Sequence, residues 1–252
     1  MIQQTLDKLY QMKLGGIADS VKEQLANPTA ASLTFEDRLA LAVDRQWDLK
    51  ENRALTRRLH IARLKQRAAI EDIDFRAHRG LDKGVMLSIA ECNFIASHSN
   101  IIITGPTGVG KTYIACAIAN RACRRSFAVR YFGCGTLLSA ATIARGDGSY
   151  PSFLTRLEKT DLLVIDDWGM YPLNSDAARD VFEILEDRTH RGSTLIVSQV
   201  PIENWYDIIA APTIAEAILD RLVHNAYRIE LTGESMRKKL SPLTQTNDLA
   251  NI

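Results

Sequence analysis

The chain has 252 residues, 46% of them hydrophobic, and its 31 Lys+Arg against 30 Asp+Glu leave a formal net charge of +1. That length accommodates one large core and a smaller element, and near-neutrality excludes a surface that is basic throughout. No apolar run approaches the roughly 20 residues of a membrane span. The first residues lack the basic-then-apolar order of a signal peptide, and Cys92, Cys116, Cys123 and Cys134 have no C-x-x-C spacing. These features predict a cytoplasmic, membrane-free protein whose thiols stay reduced.

From the N-terminus, residues 2–26 and 35–49 show helical patterning, separated by Asn27-Pro28-Thr29 and Ser32. Residues 45–67 carry eight basic side chains (Arg45, Lys50, Arg53, Arg57, Arg58, Arg63, Lys65, Arg67) against Asp48 and Glu51. Leu55, Leu59 and Ala62 recur at helical spacing and predict one apolar face, while Lys50, Arg53, Arg57, His60 and Arg67 follow three- and four-residue steps along another. A basic helical stripe can neutralise successive phosphates of duplex DNA, which makes Lys50, Arg53, Arg57, Arg58, Arg63, Lys65 and Arg67 candidate DNA contacts. The same pattern suits a solvated face whose Arg stems cover apolar surface, and the residues alone leave both readings open. Residues 1–70 are therefore expected to form a small all-helical domain. Residues 71–75 and Arg79-Gly80 mark the passage to a core over 71–240, with a polar tail over 241–252.

The core begins with a β-branched run at 101–104, read as a buried strand. Gly105-Pro106-Thr107-Gly108-Val109-Gly110-Lys111-Thr112 follows as a complete G-x-x-x-x-G-K-[ST] loop, and 113–125 reads as a helix. Strand, glycine loop and helix together are the context that this motif requires. The glycines permit backbone angles closed to other residues, so that loop N–H groups converge on phosphate at a helix N-terminus. Lys111 then offers charge to the β- and γ-phosphates, and Thr112 a hydroxyl to Mg²⁺. A second strand is expected at 129–132, then helices at 136–144 and 151–159 around a break at 145–149. Leu162-Leu163-Val164-Ile165-Asp166-Asp167 reads as a central parallel strand ending in carboxylates, where open α/β sheets bind ligands. Asp166 is expected to hold Mg²⁺ and Asp167 to polarise the attacking water. An amphipathic helix at 176–190 ends at Gly192. A strand at 194–199, a helix at 213–224 and a strand at 227–231 complete an α/β alternation, which implies a mainly parallel five-stranded sheet.

The glycine loop, residues 162–167, Ser198-Gln199 and Asp220-Arg221-Leu222 occur in the order of an AAA+ ATPase. Together with 57–75, Arg79-Gly80-Leu81-Asp82 and Arg228-Ile229-Glu230-Leu231, the chain most resembles the IstB-like ATP-binding proteins of insertion sequences, relatives of the DnaC helicase loaders. The likeness covers nearly the whole chain. It implies a P-loop AAA+ core, with ATP and Mg²⁺ as cofactors. It places Gln199, with Ser198 beside it, at the sensor I position, and Arg221 at the arginine finger that reaches the neighbouring subunit's γ-phosphate. Arg237 resembles a second sensor, and Asp167 stands where many relatives carry Glu. The helices between the second strand and the acidic strand resemble the extra element of the initiator and helicase-loader branch. The resemblance further implies an ATPase that assembles as a homo-oligomer on duplex DNA and activates or targets a partner transposase. A DnaC-like replicative helicase loader is the alternative on the same core. A P-loop small-molecule kinase needs an Arg-bearing lid and an acceptor pocket that the sequence does not show.

Overall fold

The computed structural model describes residues 2–76 and 79–236, and the chain divides into two compact units, Met1–Arg57 and Arg58–Ile252.

In the first unit, α1 (Ile2–Gln11) and α2 (Gly15–Ala26) replace the continuous helical run expected over 2–26. The break lies where Lys13 turns to a φ of +61° and the Leu14 N–H donates to the Leu9 carbonyl at 2.8 Å. The glycines behind it serve packing. The Gly16 N–H donates to Gln46 Oε1 at 2.9 Å, and a Cβ on Gly16 would stand 2.6 Å from Gln46 Cα. Asn27 caps the 3₁₀ turn Pro28–Ser32, its side chain accepting from the Thr29 N–H. The Thr34 hydroxyl then accepts from the Asp37 N–H at 3.2 Å and opens α3 (Phe35–Ala62), a single helix of 28 residues. Nothing between 44 and 50 breaks helical geometry, so the two runs read from the sequence merge. The helix stops at Ala62, short of the expected 67, because Arg63 adopts the left-handed conformation at φ +51°.

The last turn of α3 belongs to the second unit. Arg58 Nε donates to the Cys123 carbonyl at 2.9 Å and Ala62 is fully buried. Two helices that the patterning did not indicate come next: α4 (Lys83–Ala90), capped by Asp82 accepting from the Val85 N–H at 2.7 Å, and α5 (Asn93–Ala96).

The core then runs β1 (Asn100–Thr104), α6 (Lys111–Arg124), β2 (Val129–Gly133), α7 (Cys134–Gly146), α8 (Tyr150–Glu158), β3 (Leu162–Trp168), α9 (Ser175–Arg188), β4 (Ser193–Ser198), α10 (Pro212–Val223) and β5 (Ala226–Glu230). The five strands lie in the order β2-β3-β4-β1-β5, and every pairing is parallel. Ile101, Ile102 and Ile103 stand beside Leu195, Ile196 and Val197, all essentially without exposure, as a sheet covered on both faces demands. Ala115, Cys116, Ala119, Ala122 and Cys123 are fully buried on α6, small enough for the helix to lie close to the sheet. All four cysteines are buried and free of disulfides. Because the strands are parallel, their C-terminal ends gather along one edge, the edge that open α/β sheets use for ligands. Among the described residues, no helix is long and apolar enough to cross a membrane.

Gly16→Ala places its methyl against the α3 backbone, which cannot move aside as a flexible side chain would. Overpacking of this kind costs about 1–3 kcal/mol. Chemical denaturation of the full chain followed by circular dichroism should show the first unit unfolding at lower denaturant.

Candidate active site

The C-terminal edge of the sheet opens into a cavity of about 430 Å³ lined by the glycine loop, Lys65, Arg79, Asp166, Asp167 and Gln199. The loop leaves β1 at Gly105, whose φ is +142° and where a Cβ would stand 2.2 Å from the Leu231 carbonyl oxygen. Gly110, at φ +99°, opens α6 with Arg79 Nη1 2.8 Å from where a Cβ would be. Val109 is fully buried and anchors the loop from beneath. The loop therefore follows a course that only glycine can take at these two points, and it delivers the α6 N-terminus, with its unsatisfied N–H groups, to the cavity. Lys111 folds back over the loop, its Nζ donating to the carbonyls of Gly105 at 2.7 Å and Pro106 at 2.8 Å.

Asp166 is 1% exposed, and a buried carboxylate persists only when its oxygens are satisfied. Oδ1 accepts the Asp167 N–H at 2.8 Å. Oδ2 accepts the Thr112 hydroxyl at 2.9 Å, the Tyr131 hydroxyl and Lys65 Nζ at 3.4 Å. The pairing of β3 with β4 slips between Ile165 and Trp168, and within that irregularity Asp167 adopts φ +59°. The left-handed region costs a residue with a Cβ about 1 kcal/mol or more, although Asp tolerates it better than most. The slip turns Asp167 out of the sheet, with its side chain 42% exposed and 3.2 Å from Lys65 Nζ. Partial burial works against the Lys65 charge, but the Asp167 hydrogen bond and the fields of both carboxylates outweigh it and hold its pKa above the ordinary lysine value.

Across the cavity, Gln199 Oε1 accepts from the Thr107 hydroxyl, which ties the end of β4 to the glycine loop. Ser198 is fully buried. Its hydroxyl donates to the Trp168 carbonyl at 2.8 Å and accepts from the Val200 N–H at 2.9 Å, so it braces β4 against β3.

Three participants escaped the sequence reading in these roles. The sequence marks Tyr131 only as a strand residue; the parallel register that sets Gly133 beside Asp166 brings it into reach. Burial, followed by the hydrogen bond to Asp166, pushes its phenol pKa upward. Arg79, read only as a boundary mark, donates to the Val109 carbonyl at 3.2 Å and the Asp74 carbonyl at 3.0 Å, and burial lowers its pKa. Lys65, a candidate DNA contact by composition, stands at the two carboxylates. Of the other candidate DNA contacts, Lys50, Arg53 and Arg57 are exposed on α3, Arg58 is engaged with Cys123, and Arg63 and Arg67 are exposed beyond the helix end.

Arg221 does not join this cavity. It lines another, with Asn100 and Thr194, residues near the starts of β1 and β4 and so at the opposite edge of the sheet. Its guanidinium pairs with Glu186, donates to the Ala217 carbonyl at 2.9 Å and lies 4.8 Å over the Phe182 ring. Arg237 lies outside the described residues. The hydroxyl and carboxylate oxygens of Thr112 and Asp166 suit a hard divalent cation, and the ammonium already drawn to the carboxylates shows that the site favours positive charge.

The family profile described as IstB-like ATP binding protein matches residues 7–244. An insertion sequence ATP-binding protein of Sinorhizobium fredii is 44% identical over 234 residues, 93% of this chain and 96% of that protein. The insertion sequence IS1162 ATP-binding protein of Pseudomonas fluorescens is 40% identical, covering 80% of this chain and 87% of the relative. Among solved structures, DnaI superposes with a TM-score of 0.55 at 24% identity, over 66% of this chain and 92% of DnaI; at that identity the likeness concerns the fold.

Tyr131→Phe removes one donor from Asp166 and leaves Thr112, Lys65 and the Asp167 N–H in place. The expected loss is about 1.5–3 kcal/mol, the range for a hydrogen bond to a charged group, measured as a lower thermal midpoint, with binding of a fluorescent ATP analogue retained.

Proposed function

The chain belongs to the family of IstB-like ATP binding proteins, and from that membership we propose that it is a cytoplasmic ATPase of DNA transposition. In this reading it assembles as a homo-oligomer on duplex DNA and activates or targets the transposase of its own element. The observation that carries the reading is the meeting of Lys111, Thr112, Asp166 and Asp167 at one cavity, with the candidate finger Arg221 at the other edge of the same sheet. The strong likeness to insertion-sequence proteins favours transposition over helicase loading.

The glycine-loop N–H groups and Lys111 bind the ATP phosphates, with Lys111 exchanging the Gly105 and Pro106 carbonyls for phosphate oxygens. Thr112 and Asp166 would hold Mg²⁺, which would supply charge to offset what develops on the transferred phosphoryl group. Asp167, turned into the cavity by the strand irregularity, takes a hydrogen bond from the attacking water, and Gln199 orients that water from the opposite wall. Arg221 leaves Glu186 to meet the γ-phosphate of a neighbouring subunit. ATP then promotes assembly and hydrolysis loosens it, so the output is the state of an oligomer on DNA.

Lys111→Ala should lose tight ATP binding or turnover with the fold intact, and Arg221→Ala should bind ATP yet hydrolyse it poorly, since an arginine finger contributes roughly 10³-fold or more. Mixed, the two variants form interfaces with an intact loop facing an intact finger. ATPase activity should exceed the sum of the separate variants, more so with duplex DNA present. If confirmed co-assembly restores nothing at any ratio, the shared site is wrong.

Arg53→Ala combined with Arg57→Ala should weaken duplex DNA binding equally for all sequences, because phosphate contacts carry affinity and little sequence information. Arg58 is left intact for its bond to the core. The slope of log affinity against log salt should become shallower by about one for each lost contact; superimposable curves across salt concentrations return these arginines to an ordinary solvated face.

A further inference from the structure

Lys65 carries information that the family motifs do not. Its ammonium stands 3.2 Å from Asp167 Oδ2 and 3.4 Å from Asp166 Oδ2, against the very oxygen of Asp166 to which Thr112 donates. The stem is 52% exposed and comes from the segment just beyond α3, where Arg63 has turned the chain at φ +51°. A lysine reaching from an exposed position onto a buried carboxylate and its exposed neighbour is a cation bound by charge at one end and open to solvent along its stem.

Electrostatics gives that cation a defined relation to magnesium. Two adjacent carboxylates, one of them buried, repel each other and lose hydration; a nearby positive charge offsets both effects. A divalent cation bound through Asp166 does the same more strongly. An ammonium and a divalent ion sharing one carboxylate oxygen repel each other at a distance where a partly buried site screens weakly. The two therefore compete for that oxygen, and the ammonium, on a side chain 52% exposed, is the one with an open path away.

We propose that Lys65 is a tethered countercation of the nucleotide site: it neutralises Asp166 and Asp167 while no divalent cation is bound, and the magnesium nucleotide displaces it. The inference rests on the reading of this cavity as a magnesium–ATP site. Displacement frees the Lys65 side chain and leaves the backbone of its segment in place, so the amine itself reports whether the site is occupied.

The test uses the full-length protein with two variants, Lys65→Met, which keeps length without charge, and Lys65→Arg, which keeps charge. Binding of a fluorescent ATP analogue is titrated with Mg²⁺, thermal midpoints are measured without Mg²⁺ or nucleotide, and amine acylation of wild-type Lys65 is quantified by mass spectrometry. The proposal expects Lys65→Met to lower the midpoint in the absence of Mg²⁺ and Lys65→Arg to restore it. It expects Lys65→Met to need roughly fivefold less Mg²⁺ for half-maximal binding, the equivalent of about 1 kcal/mol. Acylation of Lys65 should rise when the magnesium analogue saturates the site. A higher Mg²⁺ requirement in Lys65→Met, or acylation that falls on saturation, makes Lys65 a phosphate-holding residue and overturns displacement. Unchanged midpoint, Mg²⁺ requirement and acylation overturn it as well. Failure of the cavity reading looks different: the wild-type protein itself then binds no magnesium nucleotide.

Discussion

A carboxylate held at 1% exposure sets the terms for this site. Asp166 sits at the end of a strand buried between neighbours on both sides, where an unpaired charge would cost several kcal/mol. Its oxygens are satisfied from separate parts of the fold: the Thr112 hydroxyl at the start of α6, the Tyr131 hydroxyl on β2, the Asp167 amide in the strand irregularity, and Lys65 beyond α3. Each donor reaches Asp166 only if its element is in register. Satisfying one buried charge thus fixes the glycine loop, the edge strand and the segment before the core with respect to the central strand.

The same constraint explains where the backbone departs from ideal geometry. A regular β3 would alternate its side chains across the sheet and send Asp166 and Asp167 to opposite faces. The slip between Ile165 and Trp168 and the left-handed Asp167 bring both carboxylates to one cavity. Local strain at a functional edge is held in place by the pairing around it, here by Ser198, which spends its hydroxyl on Trp168 and Val200. Ser198 also lines the cavity, so one residue both braces the strand and borders the candidate site.

A parallel sheet has two unlike edges, and this chain places candidate residues at both. The glycine loop and carboxylates occupy the edge where strands end, while Arg221 stands with Asn100 and Thr194 near the edge where they begin. Under the proposed function, the subunit carries one half of a hydrolytic site on each side, and neighbouring copies complete it. The Arg221–Glu186 pair keeps the guanidinium neutralised on its own subunit.

By themselves, the residues determined the α/β alternation, the glycine loop, the acidic strand end and the family, because these are local: periodicity marks strands and helices, and a loop that only glycine can follow announces itself within a few positions. The basic residues over 45–67 show where locality ends. They share composition, yet Lys50, Arg53 and Arg57 are exposed on a helix, Arg58 grips Cys123, and Lys65 turns back onto the carboxylates. The backbone angle at Arg63 sets Lys65 apart, and the packing of the last turn of α3 sets Arg58 apart; no periodicity encodes either. Tyr131 likewise became a site residue only through parallel register with β3. Tertiary structure alone decided these contacts, because a charge finds its partner through the folded path of the chain, and distance along the sequence carries no record of that path.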